Sequence, residues 1–162
     1  MTVAFFSGKG RRIGVALGAV SAGLLVLSAC DKPTPLATVT VGDDSVSSEA
    51  ACYNDGKALK NSEAEKCLNK EAEKSIKVSM TDMVRFGVDP EIADNGWTLF
   101  IDGQRGEPEP SKKTYRSITG GAFFSSQSQT GEAAPKNTQV SIVETKGTSV
   151  IGIWHFKLEK TD

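Results

Sequence analysis

The chain is poor in groups that do chemistry. Its 162 residues hold one histidine, His155, and three cysteines, Cys30, Cys52 and Cys67. A Ser-His-Asp site would need His155, which falls in a hydrophobic strand pattern at the end of the chain. A strand-face histidine satisfied by its neighbours is the expectation there, not a catalytic base. No glycine-rich phosphate loop occurs. No apolar run reaches the roughly 20 residues that a spanning helix needs. Basic residues do not outnumber acidic ones, 19 against 20, so there is no electrostatic case for binding nucleic acid.

What is present begins at the amino terminus. Lys9, Arg11 and Arg12 form a positive cluster, and residues 13–27 are apolar or small throughout. Ser28, Ala29 and Cys30 follow. This is the layout of a secretory signal. The Arg11-Arg12 pair is a weak match to twin-arginine export, because Ile13-Gly14-Val15 fits that motif poorly, and threading export is the default.

Leu27-Ser28-Ala29-Cys30 resembles the lipobox of bacterial lipoproteins. The resemblance implies a diacylglycerol thioether on Cys30 and cleavage between Ala29 and Cys30. Two acyl chains hold a protein stably at a membrane, at about 0.8 kcal/mol per buried CH₂, where one chain holds it only marginally. Residues 1–29 are thus expected to be a lipoprotein signal peptide. Residues 30–37 are expected to be the lipidated cysteine and a short tether stiffened by Pro33 and Pro35. At about 3.3 Å per residue that tether spans roughly 20–25 Å. The expected location is the extracytoplasmic face of the cell membrane.

Residues 38–162 suffice for a single domain. All 20 acidic side chains lie beyond residue 29, with all but three of the basic ones, so this part carries a net charge of about −4. With no polybasic patch, membrane contact should come from the lipid alone. With Cys30 lipidated, Cys52 and Cys67 are an even pair in an oxidising compartment and are expected to be bonded. Closing a loop of about 15 residues contributes about 3 kcal/mol in the chain-entropy account. The two remaining cysteines and His155 are too few for a soft-ligand zinc site.

Hydrophobic spacing predicts a mainly β domain. Thr38–Val41 alternates, Gly42-Asp43-Asp44 is a turn, and Ser45–Ser48 can return as a second strand. Cys52 to Lys74 reads as the one helical region, an insertion near 55–73 that Asn54 or Asp55 would cap and that Asn61-Ser62 can break. Period two then returns through Ile76, Val78 and Met80, through Val84, Phe86 and Val88, and through Trp97, Leu99 and Ile101. Thr114–Ile118 is a further strand with Tyr115 on one face. Gln127–Lys136 is a polar loop. Gln139–Thr145 and Val150–Leu158 form a hairpin around Lys146-Gly147. Seven or eight short strands predict an antiparallel β-sandwich, and Trp97 followed by Tyr115 and a closing hairpin makes it look immunoglobulin-like.

Two stretches qualify as candidate sites. Asp89, Glu91 and Asp94 place three acids just before Trp97 and could hold Ca²⁺, although the spacing departs from the calcium-loop pattern and Pro90 and Asn95-Gly96 are ordinary turn chemistry. Phe123-Phe124, beside the polar loop, is either an exposed contact surface or the buried end of a strand.

The lipobox followed by D-K-P-T-P-L-A-T-V-T-V-G, the cysteine pair, and V-D-P-E-I-A-D-N-G-W-T-L-F-I-D-G-Q resemble a family of small actinobacterial lipoproteins catalogued only as a domain of unknown function. The resemblance implies a cell-envelope setting and supplies no catalytic residue or cofactor. The reading is therefore a membrane-anchored, non-enzymatic binding or accessory domain that contacts an envelope protein or wall component. The alternative is a calcium-binding module or hydrolase using residues 89–95.

Overall fold

Alternation of apolar and polar side chains decides most of the architecture. The computed structural model describes residues 33–124 and 135–161. The expected signal segment, Cys30 and most of the Gln127–Lys136 loop lie outside them. In chain order the elements are β1 (Ala37–Val41), β2 (Asp44–Ser48), β3 (Cys52–Tyr53), α1 (Asn61–Leu68), β4 (Ser75–Val78) and β5 (Met83–Val88). Then follow α2 (Pro90–Asn95), β6 (Trp97–Ile101), β7 (Gln104–Arg105), β8 (Tyr115–Thr119), α3 (Gly121–Phe124), β9 (Asn137–Lys146) and β10 (Ser149–Lys160).

These strands form a two-sheet β-sandwich. The smaller sheet has the order β2-β1-β5-β8 and is antiparallel throughout. The larger runs β3-β10-β9-β6-β7, with β4 added parallel to the far half of β10. Period two turns one face of each sheet inward. Val39 and Phe86 from the small sheet meet Leu99, Ile142, Trp154 and Phe156 from the large one in a single buried core. Truncating a buried Phe or Trp of this core to Ala costs about 3–5 kcal/mol, so Phe86, Trp97, Phe123, Phe124, Trp154 and Phe156 are its most costly positions to lose.

The outer face of the large sheet is covered as well. Val143 and Ile153 point out on it and pack against Ala64 and Cys67 of α1, forming a second small core. The three-residue spacing of Ala64 and Cys67 puts both on one face of the helix. Cys67 is bonded to Cys52 of β3, with the Cα atoms 6.2 Å apart, so the disulfide clamps the helix to the sheet edge.

The expected helical insertion near 55–73 is shorter and starts later. Cys52 and Tyr53 pair with Ile153 and Gly152 as strand, and Asp55 and Gly56 turn the chain with positive φ. Leu59 N–H donates to the Val150 carbonyl at 2.8 Å, which holds the chain down until the helix begins. Its cap is Lys60, whose N–H donates to Glu63 Oε2, and neither Asn54 nor Asp55 serves. Asn61-Ser62 opens the helix instead of breaking it.

Asp89–Gly96, read as a turn, contains α2. Pro90 sits in the first turn, where its missing N–H costs nothing, and Ile92 and Ala93 are buried beneath. Gly96 ends it at φ +106, a conformation that side chains rarely adopt, with Pro110 Cβ only 3.2 Å from where a Cβ would stand. Tyr115, placed in the core by the immunoglobulin-like reading, is 66% exposed; Arg116 and Ile118 are the half-buried residues of β8. The disulfide lies on the outer face of the large sheet, at its β3 edge, and does not join the two sheets.

Candidate functional site

The chain enters the sandwich earlier than the expected tether allows. Thr34 Oγ1 accepts the Ala50 N–H at 3.1 Å. The buried Trp154 indole, which needs an acceptor away from water, donates to the Pro35 carbonyl at 2.8 Å. Leu36 N–H donates to Asp89 Oδ2 at 2.8 Å, and Asp89 N–H returns to the Leu36 carbonyl. Of the span 30–37, residues from Thr34 onward are therefore part of the fold. Proline carbonyls are unhindered acceptors, which is how a segment that looks like a spacer becomes a docked one.

A cleft of about 530 Å³ opens beside this entry. Leu36 and residues 47–51 form one wall, and residues 70–74 form the other, except for the half-buried Ala72. Lysines and carboxylates share the rim: Lys70 and Lys74 with Glu49, Glu71 and Glu73. Lys70 Nζ donates to the Ala51 carbonyl at 3.1 Å and so ties the two walls.

His155 lies at the base, 3% exposed. Its Nε2 is 2.9 Å from the Cys67 carbonyl, so Nε2 carries the proton and donates. Nδ1 then accepts from the Ser141 hydroxyl at 2.7 Å. Burial pushes the imidazole below its ordinary value; the Cys67 carbonyl opposes this and the Lys70 charge adds to it. His155 is a neutral structural pin between β9, β10 and the end of α1, with both ring nitrogens occupied.

The three acids proposed for calcium diverge. Asp89 is spent on Leu36, Glu91 Oε1 lies 3.4 Å from the Tyr53 hydroxyl, and Asp94 is exposed. Among the described residues no three His, Cys, Asp or Glu side chains gather to hold a metal ion. Asp89, at the N-cap of α2, and Glu91 are each turned to a partner on a different segment, Leu36 and Tyr53. Phe123 and Phe124 are likewise not a contact surface. Both are buried in α3, with Phe123 tilted against Phe86 at 5.7 Å.

Glu144 is the residue that sequence reasoning missed. It is fully buried at the end of the inward face of β9. Its Oε1 accepts from Asn95 Nδ2 at 2.6 Å, while Oε2 is buried with no hydrogen-bond partner among the described residues. Burial raises its carboxyl above the ordinary range; the Asn95 bond lowers it and the Glu91 charge raises it further. The signal was in the pattern: Glu144 continues the inward series Val140, Ile142. Nearby Tyr53 is raised too, first by burial and then by Glu91 and Glu144.

No protein-family model, curated protein or solved structure matches this chain. Among the described residues no helix is long and apolar enough to cross a membrane.

Proposed function

We propose that this chain is a lipid-anchored domain of the extracytoplasmic membrane face, with a non-enzymatic binding or accessory role in the cell envelope. The observation that carries the reading is the distance from the lipobox cysteine to the fold. Cys30 precedes Thr34, the first of the described residues with a hydrogen bond to the rest of the fold, by four residues. Fully extended, those four residues reach at most about 14 Å. A lipid on Cys30 would keep the entry of the domain, and the cleft beside it, close to the bilayer surface.

A binding role is favoured over catalysis by the state of the reactive side chains. Both nitrogens of the single histidine are hydrogen-bonded within the fold, and Cys52 and Cys67 are bonded to each other. The resemblance to small envelope lipoproteins agrees with the setting. The partner class expected is an envelope protein or wall component reaching the mixed-charge cleft.

Fractionation of a bacterial host expressing the full chain tests the anchor. The wild type is expected in the membrane fraction, released by detergent and not by salt. Cys30→Ser is expected to accumulate as precursor or to leave the membrane. A Cys30→Ser protein processed and retained like wild type would overturn the proposal.

A further inference from the structure

On one flank, β10 is paired twice, by different strands running in opposite directions. β3 lies antiparallel to it with Cys52 opposite Ile153, and β4 lies parallel with Ser75 opposite Lys157. The bonds that close this flank are Ala51 N–H to the Ile153 carbonyl and Lys157 N–H to the Lys74 carbonyl, both 2.8 Å. Main-chain groups alternate sides along a strand. With Ile153 and Lys157 turned to this flank, the N–H and carbonyl of His155 turn to it as well. Neither β3 nor β4 pairs with Trp154, His155 or Phe156. Residues 48–51 leave the sheet edge here to reach the other sheet, and residues 70–74 arrive only at Lys157, so the cleft opens on this interruption.

A main-chain donor and acceptor at a residue only 3% exposed is stable only when paired. From Ile153 to Lys157 is four residues, about 13 Å along the strand. The bonded groups at each end take part of that length, leaving room for one residue of an added strand. One amino-acid residue in extended form offers a carbonyl and an N–H on the same side, the complement of His155. A single amide does not, because its two groups point in opposite directions.

We infer that the cleft binds a short extended peptide, one residue of which pairs with the main chain of His155 as a fragment of strand between β3 and β4. The rim suits a peptide with free ends, since Lys70 and Lys74 can meet its carboxylate and Glu49, Glu71 and Glu73 its ammonium group. Ala51 and Lys74 close the edge at both ends, so a long strand cannot run through, and short peptides are selected over chain interiors. This inference rests on the binding role proposed above, but its test is independent of the anchor.

The test is a titration of the full ¹⁵N-labelled chain, held in a detergent micelle, with tri-alanine. The His155 amide resonance is expected to move and its exchange with solvent to slow at least about tenfold, with Ala51 and Lys74 responding beside it. Tri-alanine methylated on its central nitrogen cannot donate to the His155 carbonyl and is expected to bind at least about tenfold more weakly. Glu73→Trp, on the exposed rim, is expected to block the response. The inference is overturned if the His155 amide is unmoved at about 10 mM peptide. It is also overturned if only lysine side chains respond, or if the methylated peptide binds equally well. None of these results bears on membrane attachment, which the Cys30 fractionation decides separately.

Discussion

The side-chain amide of Asn95, the last residue of α2, donates to Glu144 Oε1 at 2.6 Å and so fastens α2 to the inner face of the large sheet. Glu144 is the only acidic side chain among the described residues that is fully buried, and the Glu91 charge raises its carboxyl further. Its position makes a titratable carboxyl part of the core.

Stability should therefore fall as Glu144 ionises. A carboxyl raised in the folded state binds its proton more tightly there than in the unfolded chain. Its contribution is complete below the unfolded value of about 4.3 and is lost as pH rises through the folded value. Glu144→Gln keeps an acceptor for Asn95 and cannot ionise. Urea unfolding across pH 4 to 9 should find Glu144→Gln gaining on wild type as pH rises above about 4.3, the gain levelling off once the folded carboxyl has ionised. A difference independent of pH would show that Glu144 binds its proton equally well in the folded and unfolded chain, and would contradict a raised carboxyl.

His155 works in the opposite sense. Lowered by burial, it favours the unfolded chain's protonated form as pH falls below about 6.5, so its contribution is present above that value and declines toward acid. His155→Ala would also strand the Ser141 hydroxyl and the Cys67 carbonyl, at about 1–3 kcal/mol for each buried group left unpaired. Denaturant midpoints of this variant at pH 7 should lie well below wild type, and the acid-side slope should flatten. An unchanged midpoint would mean that the pin between α1 and the hairpin carries no stability.

The disulfide should act locally. Cys52→Ser with Cys67→Ser removes a constraint on a loop of 15 residues, worth at most about 3 kcal/mol. Amide exchange should quicken first between Cys52 and Lys74, while the strands of Trp97 and Trp154 stay protected. Loss of protection in all strands together would assign the bond a global role.

Gly152 is a packing prediction. A Cβ there would stand 2.6 Å from the Trp154 ring and 3.0 Å from the Tyr53 ring. Gly152→Ala should cost about 1–3 kcal/mol through overpacking, although alanine ordinarily suits a strand better than glycine. A melting temperature equal to or above wild type would indicate that Trp154 moves aside freely.

Period-two spacing made the strands legible, including the long hairpin of β9 and β10, because one half-buried face leaves a local trace. The β-sandwich followed from those strands. What was not legible depended on partners distant in sequence. Cys52 and Tyr53 are strand only because Gly152 and Ile153 lie beside them, and two residues carry no period of their own. Proline, asparagine and glycine around residues 90–96 serve a turn and a one-turn helix equally well; burial of Ile92 decides for the helix. Pro35 looked like tether because its docking depends on an indole 119 residues away. The cleft joins Leu36, residues 47–51 and residues 70–74 across an interruption in strand pairing, a property of topology that no local window contains. Glu144 was visible in the alternation of β9, where an acid on an inward face is the exception that marks a buried polar site.

The proposed anchor at Cys30 underlies the proposed location, the short reach and the nearness of the cleft to a membrane. Intact-mass spectrometry of the protein extracted from host membranes tests it most directly. The expected species is a chain beginning at Cys30, lacking residues 1–29, and heavier than its polypeptide by a diacylglycerol group. A mature chain with an unmodified Cys30, or a membrane-bound chain that retains residues 1–29, would contradict it.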